Sequence, residues 1–307
     1  MAEKKYTPMM QHYLKMKEEN PDSILFYRLG DFYEMFFEDA KLVSQELDLV
    51  LTGRSAGVEE KVPMCGIPFH AANSYIQRLV KKGYKVAICE QLEDPSSAKG
   101  LVDRGIIKII TPGTYMDATM DAKSTNYMAS CDVSSFEITV IYCELSTGEL
   151  KYQTLQRSLV ALQKALLEQN VSELVCPMTM DKKWMAALEE MDTMLISKHK
   201  KANIDSEDLP LLNGIESESL KEAFALLMAY LKDTQKQRID HFLPIESMDK
   251  DKVLVMDYET KNHLELVSSQ SSNAKAESLW SFMDKCQSAM GSRMQKRLRK
   301  DKRRLKI

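Results

Sequence analysis

Glycine and proline are scarce, 11 and 9 in 307 residues, too few for a low-complexity or collagen-like chain. Long apolar runs are missing too, so no segment reads as a membrane-spanning helix of about 20 residues. The opening Met1-Ala2-Glu3-Lys4-Lys5 is polar, and secretion is not expected. The six cysteines (Cys65, Cys89, Cys131, Cys143, Cys176 and Cys286) are scattered, with no CxxC pair. That disfavours a zinc site and fits reduced, buried thiols in a cytoplasm. No GxxxxGK[ST] phosphate loop occurs, and the stretch 53–57 does not replace one, so nucleotide hydrolysis is not expected. Positive charge is not in excess either, since the net charge is −3.

What is present is an ordinary globular composition, 44% hydrophobic, with 20 methionines that read as adaptable core filler. A chain of this length is expected to organise two or three cores. Charge is unevenly spread: residues 1–115 carry −1, residues 116–249 carry −9 and residues 250–307 carry +7. A nucleic-acid role for the first third therefore needs specific contacts rather than bulk attraction.

The pattern along the chain alternates strands and helices, which points to α/β architecture. Residues 7–20 read as a helix with Thr7 as N-cap and Pro8 in the first turn. Residues 23–29 read as a strand ending at Gly30, residues 31–47 as a helix, 49–52 as extended and 53–60 as a polar loop. A helix over 70–82 and strands over 84–90 and 105–111 complete a domain ending near residue 115. Residues 116–128 read as a linker. A second α/β domain, 129–250, has a hairpin signal around Ser146-Thr147-Gly148-Glu149, flanked by strands at 136–143 and 150–155. It continues with helices over 158–169 and 181–191, a buried strand at 171–176, a polar loop over 196–217 and a helix over 220–234. Residues 252–256 read as extended. From 257 onward the pattern is helical again, with one long helix over 278–298.

Three stretches carry a functional signal. They are Phe26-Tyr27-Arg28-Leu29-Gly30-Asp31-Phe32-Tyr33-Glu34-Met35-Phe36, Val62-Pro63-Met64-Cys65-Gly66-Ile67-Pro68-Phe69-His70-Ala71, and the segment from Gly83 through Asp94-Pro95 and Ala98-Lys99-Gly100 to Thr114. Together they closely resemble the N-terminal domain of the bacterial MutS family of mismatch-repair proteins. Leu145-Ser146-Thr147-Gly148-Glu149 resembles that family's connector, and residues 257–265 and Ala289-Met290-Gly291-Ser292-Arg293 resemble the start of its helical core. The match is collinear from about residue 6 to residue 298.

The resemblance implies an N-terminal mixed-sheet α/β mismatch-binding domain (1–115), a ribonuclease-H-like α/β connector (129–250) and the first helices of an all-α core (251–307). It implies that the Phe-x-Glu motif, Phe32-Tyr33-Glu34, enters the minor groove at a mispair, with Phe32 as wedge and Glu34 as polar partner of the base. The residue types suit that role, because a ring can replace lost stacking and kinking is easier where pairing is already weak. Phosphates around a carboxylate favour its protonated form, so Glu34 is expected to bind some mispairs as the neutral acid. The plain alternative is a core anchor followed by a first-turn acid that suits the helix dipole. Tyr33 and Phe36 read as core. Arg54 and Ser55 read equally as phosphate or sugar contacts and as a solvated loop, with Lys99 and Arg104 as weaker candidates of the same kind.

The resemblance also implies mismatched double-stranded DNA as partner. For full-length relatives it implies ATP or ADP with Mg, a homodimer, a MutL-type partner at the connector, and a bacterial cytoplasmic, nucleoid-associated setting. No cofactor is expected in this chain. A truncated DNA- or partner-binding module without mismatch selectivity is the first rival reading; a metal-dependent nuclease in 129–250 is the second, weakened because Asp132, Glu137 and Glu144 form no clear metal triad. Nine of the last fifteen residues are Lys or Arg, unlike the family pattern. A shifted or truncated reading frame accounts for that; a genuine basic tail is the alternative.

Overall fold

The computed structural model describes residues 6–93, 102–115, 126–248, 260, 263–266, 269 and 278–298. Lys99, the strand expected at 252–256 and the basic end at 299–307 lie outside the described residues. The chain divides into two compact units, residues 1–115 with 231–238 and residues 116–230 with 239–307.

The first unit opens with helix α1 (Pro8–Glu19), followed by β1 (Ser23–Leu29) and β2 (Phe32–Phe36). Helix α2 (Phe37–Leu47), β3 (Thr52–Arg54), β4 (Val62–Pro68), a 3-10 turn at Phe69–Ala71, α3 (Ala72–Lys81), β5 (Lys85–Gln91) and β6 (Arg104–Ile110) complete it. The six strands make one mixed sheet in the order β3-β4-β2-β1-β5-β6. Among the described strands of this sheet, only β1 and β5 run parallel. Strand alternation sends Leu25, Tyr27, Phe36, Ala87 and Cys89 into a core with Met10 and Tyr13 of α1. The alternate set, Ile24, Phe26, Met35, Cys65 and Ile67, is buried as well. The Cys65 thiol points to the Ala40 carbonyl of α2, placing that helix on the opposite face.

The expected helix over 31–47 is corrected here. Its first part is β2, paired antiparallel with β1 through Leu29↔Phe32, Arg28↔Tyr33 and Tyr27↔Glu34. The two-residue turn Gly30-Asp31, with Gly30 at φ +57°, is a hairpin connection, and the aromatic run after it favours a strand. Phe37, at φ +53°, then bends the chain into α2. The polar loop expected at 53–60 likewise begins as β3, paired to β4.

In the second unit, β7 (Tyr127–Val133), β8 (Glu137–Glu144) and β9 (Glu149–Gln156) form an antiparallel meander. Next come α4 (Leu159–Glu168), β10 (Val171–Pro177), α5 (Lys182–Glu189), β11 (Leu195–His199), a 3-10 turn at Leu209–Leu212, α6 (Glu218–Gln235), whose residues from Leu231 onward are assigned to the first unit, and β12 (Glu246–Ser247). The sheet order is β11-β10-β7-β8-β9-β12, with β10 parallel to both β7 and β11. A central first strand, flanked by the meander on one side and two parallel strands on the other, fits the ribonuclease-H-like expectation. Ser158 and Asp181 cap α4 and α5 by accepting from the amides of Ala161 and Lys183. β7 and β11 are corrections: β7 lies partly in the expected linker, and β11 lies in the expected loop. The expected single helix over 278–298 is two, α7 (Leu279–Met283) and α8 (Ala289–Leu298). This segment exposes Phe282, Met290 and Met294.

The β8–β9 turn is tightly held. The Glu144 carboxylate accepts from both hydroxyls of Ser146 and Thr147 and from the Thr147 amide at 3.0 Å. Gly148 sits at φ +72°, and its carbonyl accepts from the Leu243 amide at 2.8 Å. A Cβ there would lie 2.0 Å from the His241 carbonyl oxygen. We expect Gly148→Ala to destabilise the second unit by about 2 kcal/mol, combining the left-handed backbone with the displaced 241–243 segment. A urea-unfolding midpoint equal to the parent's would contradict this.

Candidate nucleic-acid interface

The β1–β2 hairpin builds the candidate site. Its tight turn leaves no slack, so the first residue of β2 is held at the sheet's end. That residue is Phe32, 47% exposed, while Tyr33 beside it is 7% exposed. Period-two alternation puts Glu34 on the same face as Phe32. Alongside both in register lies β4, with Pro68 opposite Phe32 and Gly66 opposite Glu34. Gly66 has no side chain; a Cβ there would meet Glu34 Cγ at 3.5 Å and Phe32 Cδ1 at 4.0 Å.

Glu34 is not solitary. Its side chain is 16% exposed and forms an ion pair with the Arg54 guanidinium, which is 36% exposed. Arg54 ends β3 and sits opposite Val62, so its side chain crosses β4 to reach β2, with the guanidinium carbon 5.9 Å from the Phe36 ring centroid. Ser55 follows it and is exposed. The next residue, Ala56, is fully buried and accepts from the Thr7 amide at 2.9 Å, anchoring this stretch to the start of α1.

The opposite side of the hairpin is braced by Arg28. Its Nε donates to the Gly30 carbonyl at 2.5 Å, and its guanidinium carbon lies 3.8 Å from the Phe69 ring centroid. The Phe69 amide donates to the Asp31 carbonyl at 2.9 Å, so Phe69, 42% exposed, stands beside the turn. Tyr33 donates its hydroxyl to Glu90; burial first, and then that carboxylate, pushes the phenol well above its ordinary range and keeps it a donor. Phe36 is fully within the core, and both residues match their reading as core.

Of the other candidates, Arg104 is 8% exposed; it donates to the carbonyls of Arg28 and Val102 and lies over the Tyr27 ring. Its charge is used inside the unit. Next to it, His12 Nδ1 lies 3.0 Å from the Tyr27 hydroxyl, and burial followed by the Arg104 charge lowers the imidazole's pKa. His70 is exposed in the 3-10 turn, with its ring edge-on to Phe69. Among the described residues no group of three His, Cys, Asp or Glu side chains could hold a metal ion. Asp132 binds Lys201 and Ser219, and Glu144 is used by its turn. Among the described residues, no helix is long and apolar enough to cross a membrane. All six cysteines are free thiols, five of them buried.

The Arg54–Glu34 pair is invisible to sequence reasoning, because it depends on β3 and β2 both flanking β4. A hairpin at Gly30-Asp31 is the one signal that could have led to it. Phe69 gives no signal beyond the start of a helix.

Residues 7–119 match the family model MutS domain I, which sets the class of the first unit. Along nearly its whole length the chain is similar to the N-terminal region of MutS proteins. It is 43% identical over 296 residues to the DNA mismatch repair protein MutS of Bacillus licheniformis, covering 95% of this chain and 33% of that protein. The proteins of the same name from Clostridium tetani and Bacillus subtilis are each 41% identical, over 94% and 95% of this chain and 34% of their own lengths. The chain thus spans about a third of the length of the curated relatives it matches.

Proposed function

We propose that this chain recognises mispaired or looped-out bases in duplex DNA, as part of mismatch repair. Phe32 is the wedge, Glu34 the contact to the displaced base, and Arg54 and Ser55 flank the wedge on the DNA-facing surface. The observation that carries this is a large ring left exposed at the end of a rigid hairpin strand whose next residue, Tyr33, is buried, with a carboxylate on the ring's own face. A ring on a sheet can be driven between bases without losing its own position. Stacking returns roughly 1–3 kcal/mol per base, against unstacking and bending costs that are lower where pairing is poor. Because every base has a π-face, one ring suits many mispairs. Recognition is the role assigned to these residues, with no catalytic step. A second copy, a MutL-type partner at the second unit and a nucleotide-dependent response belong to the longer relatives' expected behaviour.

Competition binding at fixed salt between a matched duplex and one with a single mispair or unpaired base tests the proposal. The mismatched duplex is expected to win; equal affinity would leave a DNA-binding module without selectivity. The Glu34 arm is tested separately. If the carboxyl leaves Arg54 on meeting a mispair and donates as a neutral acid, Glu34→Gln retains most mismatch affinity while Glu34→Ala loses about tenfold. Equal loss in both would rule out a donor role.

A further inference from the structure

We infer that Arg54 is a positioning residue that acts on DNA through Glu34: it neutralises the carboxylate so that the wedge can approach the phosphates. The inference rests on the proposed function of Phe32 and Glu34 and goes beyond it.

Three observations support it. Glu34 is only 16% exposed, so its carboxylate has lost most of its hydration and needs a partner within the protein. That partner comes from outside its own hairpin. Arg54 sits in the edge strand β3, and its guanidinium crosses the whole width of β4 to reach Oε2 of Glu34. The reach is held from both ends, since β3 pairs with β4 through Thr52↔Met64 and Arg54↔Val62, and Ala56 just beyond is buried and tied to Thr7. Arginine suits such a position because its planar fork stays charged and matches a carboxylate.

The consequence is electrostatic. An unpaired carboxylate two residues from the wedge would face the phosphate backbone as a like charge. Paired, it presents none, and it stays aimed along the strand face beside Phe32. A direct phosphate contact by Arg54 is the competing account: there Arg54 contributes whatever residue stands at position 34.

A double-substitution cycle on the purified 307-residue chain separates the two. The probes are a matched oligonucleotide duplex and the same duplex with one unpaired thymine, read by fluorescence anisotropy at fixed salt. Circular dichroism checks that each variant is folded. Arg54→Met is expected to weaken binding to both duplexes by about tenfold or more, and Arg54→Lys by much less. In the Glu34→Gln background, where no charge needs neutralising, Arg54→Met is expected to change affinity by less than about threefold. Equal losses in both backgrounds would overturn the inference in favour of a direct contact, as would no loss from Arg54→Met alone. Absence of binding by the parent chain to either probe would overturn it as well. The reading of Phe32 fails in a different way: the parent would bind both duplexes equally, while the cycle on the matched duplex still reports on Arg54.

Discussion

If Phe32 is the proposed wedge, Phe32→Ala is expected to abolish the preference for mispaired over matched duplex and to leave the fold untouched. The ring is 47% exposed at the end of β2 and is not part of the core cluster beneath it, so truncating it removes little burial. Its replacement should therefore unfold at the parent's urea midpoint. In the proposed complex the same ring would stand in for a lost stacking partner of the mispaired base, which is worth about 1–3 kcal/mol. Losing it lowers affinity for the mismatched duplex by roughly five- to a hundredfold. Binding to the matched duplex is expected to change little, because non-specific binding rests on backbone contacts that would not use the wedge. Phe32→Leu is the informative companion: it keeps apolar bulk without a π-face and should recover only part of the preference. The measurement is the ratio of competition constants for the two duplexes at one salt concentration. A ratio unchanged by Phe32→Ala would remove the wedge from the mechanism.

How much of this is legible in the residues depends on how local the signal is. Strand β1 is a run of Ile24, Leu25, Phe26 and Tyr27, and helices α4 and α5 carry Ser158 and Asp181 as visible caps, so pattern and structure agree there. They disagree at β2, because five aromatic-rich residues run directly into a helix, and only the left-handed backbone at Phe37 separates them. β7 is hidden for another reason. Its centre is Ala129, Ser130 and Cys131, small residues buried on both faces of a central strand, which propensity alone does not flag. β11 is a short edge strand with polar positions, recognisable only by its parallel pairing to β10. The site follows the same rule. Phe32 and Glu34 stand out as a local motif within a family resemblance. The ion pair that gives Glu34 its partner spans 20 residues and two strand registers, so it requires the fold.

Asp39→Ala should cost more stability than Gly148→Ala. This carboxylate is 6% exposed on α2 and joins three elements. It accepts from the Leu25 amide of β1 at 2.9 Å, from Lys17 of α1 at 2.8 Å and from the Tyr13 hydroxyl of α1 at 3.4 Å. Removing it leaves a buried amide without this acceptor, and an ammonium held by the Ser23 carbonyl at 2.6 Å but stripped of its counter-charge. Breaking one side of a buried pair costs about 3–5 kcal/mol. The Lys17 side chain is 27% exposed and can recover some hydration, so the lower end, about 3 kcal/mol, is expected. Asp39→Asn keeps one acceptor and should lose about half as much. Adding Lys17→Met to Asp39→Ala should restore part of the deficit, since the stranded charge is then gone. Urea unfolding followed by circular dichroism reads the parent and each variant, and a midpoint for Asp39→Ala within error of the parent would refute the assignment. The proposed wedge would depend on this anchor: Asp39 lies two residues after the bend at Phe37, and the Tyr13 hydroxyl that contacts it also accepts from the Phe36 amide at 3.2 Å. Loosening Asp39 therefore frees the far end of the strand that carries Phe32, and mismatch preference should fall in step with stability.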